Sequence, residues 1–295
     1  MMLLAILFFP LALGAQTLSG VVDVHVHADP DSRPRSIDAI DLAKLAQARG
    51  MRALLFKNHN ESTATLAYLV RKAVPGIEVF GGIVLNRAVG GVNPAAVEQM
   101  VAVKGGWGRV VWMPTAEAEN QVRYEKANRP FVPVTLNGQL RPEVNEVLAL
   151  VARHKLTLAT GHSAPEESLL LIREARRLGV ERIVVTHAMS RSVNMSVAQM
   201  QEAAKLGAYL EFVYHARPIS TDNPPLTIQE YEAAIRAVGP EHCILSSDLG
   251  QVGNPLHPDG LAAFFQALRE KGFTEADIDR MAKRNPATVI GLSYP

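Results

Sequence analysis

Eight short apolar runs recur along the whole chain, separated by amphipathic stretches, and several of them end in residues of the kinds that bind divalent metal. The runs are Val21–His27, Ala53–His59, Glu78–Leu85, Arg109–Met113, Leu156–Thr160, Arg182–Thr186, Ala208–Val213 and Cys243–Ser247. Runs this short and this rich in Val, Ile, Leu and Phe read as buried parallel strands. Helical segments are expected over Ser36–Arg49, Ser62–Ala73, Pro94–Val103, Pro142–His154, Pro165–Leu178, Ser196–Leu206, Thr227–Val238 and Leu261–Lys271. Ser36 supplies a cap and Gly50 a stop, while Pro94, Pro142 and Pro165 sit where a first helical turn tolerates proline. Strict alternation means a parallel sheet with helices outside it. Eight units, with no Gly-rich fingerprint after the first run, favour an α/β chain closed into an eight-stranded parallel (β/α)8 TIM-type barrel over an open doubly wound sheet.

The chain has 295 residues, 48% of them hydrophobic and 20% charged, which suits one barrel domain over residues 16–295 without a second domain. A net charge of +1 carries no electrostatic signal for nucleic acid or an anionic membrane, so the expected partner is a small-molecule substrate. The sequence is also compatible with a homo-oligomer. The single cysteine, Cys243, forms no intramolecular disulfide and is expected in the core. Leu3–Leu13 is almost unbroken apolar and is followed by Gly14 and Ala15, so residues 1–15 read as a signal peptide of an exported, periplasmic or secreted protein. The front of that leader lacks Lys and Arg. No other stretch is long and apolar enough to span a membrane, so no stable span is expected after signal removal.

One connection is long. Pro114–Leu140 follows the fourth run and carries Arg123, Tyr124, Lys126 and Arg129. Loops of this length are usually lids or binding loops, and Arg123 is a candidate to hold an anionic substrate; a solvated flap is the alternative.

The chemistry is concentrated at the ends of the runs. Alternate residues of a strand point the same way, so His25 and His27 are placed to share one metal at a barrel mouth. His162 and His187 follow the fifth and sixth runs and Asp248 follows the eighth. Strand ends of a parallel barrel converge on one face, which is where such enzymes work.

The motifs Val22-Asp23-Val24-His25-Val26-His27, Thr160-Gly161-His162-Ser163, Val185-Thr186-His187-Ala188 and Ser246-Ser247-Asp248 together resemble the amidohydrolase superfamily of metal-dependent (β/α)8 hydrolases. The tail Arg284–Leu292 is similar to that superfamily's closing helix, and the resemblance covers nearly all of the chain after the leader. It implies metal ligation by His25, His27, His162, His187 and Asp248, and a proton shuttle at Asp248. The implied cofactor is a divalent metal, zinc before others, as one or two ions. A bound Zn²⁺ brings the pKa of its water from far above neutral down to about 7, making a nucleophile for a carbonyl or phosphorus. His187, if it is protonated rather than a ligand, would instead stabilise the developing oxyanion.

The chain departs from the superfamily at its fourth strand, which offers no lysine or glutamate to bridge two metals. The nearest strand-end lysine is Lys57, on the second strand. Three roles are open to it: a bridging carbamate, an ammonium that polarises substrate, or a partner of Glu211 on the seventh strand.

Around this set, His59, Arg33, His215 and His257 are candidates for substrate binding, with Arg33 or Arg35 facing a carboxylate and His257 forming a pocket wall. His154 and His242 are expected at helix ends on the surface. The combined reading is a metal-dependent hydrolase of an amide, lactone or ester bond of a small molecule. A metal-dependent phosphoesterase, a mononuclear decarboxylase or other lyase, and a non-catalytic ligand-binding barrel are the rivals.

Overall fold

The computed structural model describes residues 18–214 and 224–293. The leader at 1–15 and His215 therefore lie outside the described residues. Eight parallel strands form one sheet in sequential order: β1 (Val22–Val26), β2 (Ala53–Phe56), β3 (Glu78–Val84), β4 (Gly108–Trp112), β5 (Thr157–Ala159), β6 (Arg182–Val185), β7 (Tyr209–Val213) and β8 (Cys243–Ser246). Each begins within a residue of the expected run, and the second ends at Phe56, three residues short of the expected His59. The first and last strands meet through a parallel bridge between Val26 and Leu249, with His27 N donating to Leu249 O and Asp248 N to His25 O at 3.0 and 2.9 Å. The result is a (β/α)8 barrel.

Two apolar layers follow from the period-two alternation of strand side chains. On β2, Ala53 and Leu55 join the inner cluster while Leu54 and Phe56 pack outward. The inner cluster also holds Val22, Phe80, Trp112 and Ile244, together with Ala287 and Val289 from the C-terminal helix (Asn285–Val289) and Ile290 just after it. The expected closing helix thus plugs the end of the barrel remote from the metal-type residues. Cys243 is buried, as expected, and its thiol pKa is raised by that burial.

Local signals placed most helices well. Ser196 and Thr227 cap the helices Val197–Lys205 and Ile228–Val238 through capping boxes. Two expectations need correction. The first helix runs Ala39–Ala48, and its cap is Asp38, whose carboxylate accepts from Ile40 N and Asp41 N, not Ser36. The last long helix starts at His257 rather than Leu261, because Pro258 fits a first turn. The long connection after β4 is not structureless: it holds the helix Glu119–Tyr124 and a hairpin pairing Thr135–Leu136 with Gln139–Leu140. Among the described residues no helix is long and apolar enough to cross a membrane.

Candidate metal centre

The residues after the strands converge at one mouth of the barrel. Asp248 sits at the centre of the cluster. Its Oδ1 lies 3.0 Å from His25 Nε2 and 3.1 Å from His27 Nε2, and its Oδ2 lies 3.2 Å from His187 Nε2. Among the described residues, His25, His187 and Asp248 bring one ligand atom each within 4.8 Å of one another. Two further imidazoles close the ring: His162 lies tilted beside His187 at 5.0 Å between centroids, and His59 stacks on His27 at 5.1 Å. Five histidines from β1, β2, β5 and β6 thus crowd one carboxylate that follows β8.

His187 and Asp248 both have left-handed backbones, with φ of 45° and 50°. Non-glycine residues there cost on the order of 1–3 kcal/mol, and such strain persists only where the surroundings hold it. Here His187 N donates to Glu211 Oε2 at 3.2 Å, and Asp248 N donates to the His25 carbonyl. Before His162, Gly161 has φ 63°, and a Cβ there would overlap the carbonyl oxygens of Met113 and Pro114. Only glycine lets this strand end approach its neighbour so closely.

Behind the histidines lies a set of fixed partners. Glu211 Oε1 accepts from His25 Nδ1 at 3.0 Å and from Ser246 Oγ at 2.7 Å. Arg35 Nη2 lies 3.3 Å from His27 Nδ1, and Gln121 Oε1 lies 2.9 Å from His162 Nδ1. Thr115 Oγ1, itself held by Asn86, lies 2.8 Å from His59 Nδ1. Lys57 Nζ reaches His25 Nε2 at 2.9 Å. Asp23 accepts from Ser247 N at 3.0 Å and stitches β1 to β8.

The electrostatics follow from burial and charge. Burial opposes ionisation of Asp248, but His25 and His187 beside it hold its carboxyl well below the usual range. Burial likewise acts against the Glu211 carboxylate, yet the His25 charge and hydrogen bond bring it down to about 2. For His25, burial is outweighed by Asp248 and Glu211, and its pKa rises to about 9. His27, His59 and His162 are pushed well below the ordinary histidine value, chiefly by burial, and stay neutral. Burial brings Lys57 down to about 8.

A cavity of ≈ 370 Å³ opens over the cluster, lined by His27, Lys57, His59, His162, His187 and Asp248, with Arg33 and Tyr124 on its wall. Of the candidates read from sequence, His25, His27, His162, His187, Asp248 and Lys57 come together, and Arg33 and His59 line the cavity. Three expectations need correction. Arg123 points outward, paired with Glu119 and stacked over Phe131, because the short helix it sits on turns Gln121 and Tyr124 to the cavity instead. His257 is fully buried at the start of its helix and is not a cavity wall; that burial lowers its pKa to about 4. Glu211 does face inward, but its hydrogen bonds go to His25 and Ser246 rather than to Lys57. His154 and His242 play no part in the site.

Gln121, Thr115 and Asn86 were not legible as site residues. A helix of six residues inside a polar loop has too few turns to show periodicity. Glu211 did carry a signal, since it has the inward parity of Tyr209 on a buried strand.

Comparisons with known proteins agree with this architecture. Residues 20–211 match the model of a family described as a family of unknown function, DUF6282. No curated protein matches the chain. Among solved structures, an organophosphorus hydrolase from Deinococcus radiodurans is similar at TM-score 0.62 and 16% identity, covering 94% of this chain and 96% of that one. A mutant of a Deinococcus radiodurans PTE-like lactonase is similar at TM-score 0.62 and 16% identity, over 94% of this chain and 100% of that one. An enzyme engineered for organophosphate hydrolysis from a weak promiscuous lactonase template is similar at TM-score 0.61 and 16% identity, over 94% and 97% of the two chains. At this identity the likeness is one of fold.

Proposed function

The chain belongs to the DUF6282 family of unknown function, and we propose that it is a metal-dependent hydrolase of an amide, lactone or ester bond in a small polar molecule. The observation that carries this reading is the convergence of three histidine Nε2 atoms on the two oxygens of Asp248, at 3.0 to 3.2 Å. Four such groups packed together in a buried mouth, without a cation, leave polar atoms poorly satisfied. The Nε2 atoms of His162 and His187 are buried and make no well-aligned hydrogen bond. Imidazole nitrogen with carboxylate oxygen is a donor set that suits a divalent transition ion, zinc before others. His25, His187 and Asp248 would hold it, with His162 beside them.

When bound, the ion supplies Lewis acidity and a water acidic enough to ionise near neutral pH. The protein does the rest. The ionised Asp248 carboxylate faces the cavity and is placed to take a proton from the attacking water and return it to the leaving group. Lys57, buried at the cavity floor, is placed to stabilise negative charge that develops on the substrate. His59 and His162, both neutral, present polar edges that orient the substrate. Among the described residues Arg33 has no ion-pair partner, and it favours a substrate that carries negative charge.

The fold neighbours, named as hydrolases and lactonases, support the same class of reaction. Export rests on the Leu3–Leu13 run alone, and the mass of the mature native chain tests it. The test of function is metal analysis of purified protein beside turnover on a panel of amides, lactones, esters and phosphoesters. Turnover that disappears with a chelator and returns with zinc supports the proposal. Loaded protein that turns over nothing on the panel favours a binding barrel instead.

A further inference from the structure

At the end of the barrel remote from the cavity, two arginines come together. Arg109 lies on β4 and Arg182 opens β6, at the strand ends opposite the metal-type residues, with β5 between them. Arg182 shares the inward parity of Val184. Arg109 arrives by a different route. Gly81 pairs with Gly108 but Gly82 pairs with Val110, so the register between β3 and β4 steps over Arg109. A bulge of this kind re-aims the side chain it carries. The Arg109 guanidinium accordingly lies 5.3 Å from the ring centre of Phe80, a member of the inner cluster.

The two guanidiniums converge beside the turn that follows the closing helix. The Nη1 atoms of Arg182 and Arg109 lie 3.3 and 3.7 Å from the point where Gly291 would carry a Cβ. The Nε of each is buried and has no hydrogen-bond partner among the described residues. Neither arginine has an ion-pair partner among those residues either. Arg71, on the helix Ala64–Ala73, adds a third positive charge nearby. It is itself satisfied, stacked on Trp107 at 3.8 Å with Nη1 donating to the Val79 carbonyl at 3.1 Å. The acid on this side is Glu78, and its carboxylate is already bonded to Arg52 at 3.3 Å.

Burial and like charge therefore both act against this arrangement. Burial first, then Arg182 and Arg71, push the pKa of Arg109 below the ordinary arginine value. Buried donors and buried charges are costly unless they are paired. An oxyanion answers each cost at once: it accepts from the orphaned Nε–H groups and turns repulsion between two cations into attraction by a shared anion. The planar fork of a guanidinium matches phosphate oxygens two at a time. Two unpaired guanidiniums also match the charge of a phosphate monoester near neutral pH, about −1.5 to −2, where one carboxylate would neutralise only half of it. The guanidiniums are recessed beside the closing turn, which suits a small ion rather than a membrane surface.

We propose that Arg109 and Arg182 form a second binding site, at the closed end of the barrel, for a phosphoryl oxyanion: inorganic phosphate or the phosphate of a small monoester. The site shares no residue with the metal-type cluster and stands independently of how that cluster is read.

The test uses the full-length protein treated with a chelator, and inorganic phosphate as the probe. NMR of the arginine Nε–H groups reads the site directly. Phosphate should shift the Arg109 and Arg182 signals, identified through Arg109→Gln and Arg182→Gln, and should raise the melting temperature. Each substitution should weaken phosphate binding by about tenfold or more in calorimetry, the loss of charge-assisted hydrogen bonds. Arg33→Gln, at the opposite mouth, should leave that binding unchanged. If a glutamine variant fails to fold, Arg109→Lys or Arg182→Lys identifies the same signal while keeping the charge. Glycerol phosphate and vesicles containing phosphatidate separate the sources of the phosphoryl group. Signals that do not move with phosphate, or binding lost in Arg33→Gln and kept in the Arg109 and Arg182 variants, overturn the proposal. So does binding to phosphatidate vesicles with none to phosphate or glycerol phosphate, which would make this end a lipid-facing surface.

Discussion

The Nζ of Lys57 lies 2.9 Å from the Nε2 of His25, at the lone pair through which His25 would bind a metal. Both side chains are buried, at 2% and 0% exposure, so the contact is not a solvent-averaged one. It makes Lys57 either a repulsive neighbour of the ion or, once carboxylated, a contributor to its binding.

Lys57→Met separates those two cases. If the lysine acts as an ammonium, the variant should lose at least about tenfold in rate, roughly 1.4 kcal/mol of transition-state stabilisation, while binding divalent metal more tightly. If it acts as a carbamate, metal content should fall from two ions to one, and a short carboxylic acid should partly restore Lys57→Ala. Rate and metal titrations on the same preparations check both. A Lys57→Met enzyme with wild-type rate and metal content would make the lysine a structural residue of the rim.

His25→Ala and Asp248→Asn should each remove most of the bound metal and most turnover while the barrel still folds. The first also strands the buried Glu211 carboxylate, which has His25 as a main partner. A cost of about 1–3 kcal/mol in the stability of the metal-free protein is expected from that lost hydrogen bond. Metal analysis, circular dichroism and denaturant titration read the three effects separately.

Glu211→Gln should weaken metal binding by about 10- to 100-fold with little change in overall fold. One amide cannot accept from His25 and Ser246 on one side and from the His187 N–H on the other, as the carboxylate does. Competition with a chelator measures the affinity. Unchanged affinity would show that His25 keeps its tautomer without the carboxylate.

His257 makes stability fall in mild acid. Its folded pKa is about 4 against an ordinary 6.5, because burial disfavours the charged ring. As pH falls from 6.5 toward 4, the unfolded chain takes up a proton that the folded chain refuses. The stabilisation is therefore complete above pH 6.5 and is lost as pH drops through the folded value, by about 3 kcal/mol in all. His257→Gln should flatten the stability profile across that window, as read by urea unfolding at stepped pH.

Much of the architecture was legible because it depends on local patterns. Strand-length apolar runs, helical segments with capping residues, and metal-type residues at run ends are all properties of neighbouring residues. Once the runs are strands of one parallel barrel, their ends must share a face, so the gathering of His25, His27, His162, His187, Asp248 and Lys57 follows from topology. The closing helix at Asn285–Val289 was expected only from the resemblance of the tail Arg284–Leu292 to that of the superfamily.

What the linear chain could not decide is which groups stand behind each of those residues. Glu211 is 186 positions from His25, and their hydrogen bond exists only because β7 and β1 both flank β8 in the closed barrel. Arg35 and Gln121 reach His27 and His162 from loops whose course has no periodicity to read. The same is true of the failures: Arg123 and His257 have suitable chemistry, but one faces solvent and the other is sealed in the core. Residue type and spacing determined that five histidines and an aspartate would meet at one barrel mouth. Tertiary packing decided their partners, because proton placement on an imidazole depends on the charge a few ångströms behind it, and that charge comes from a distant part of the chain.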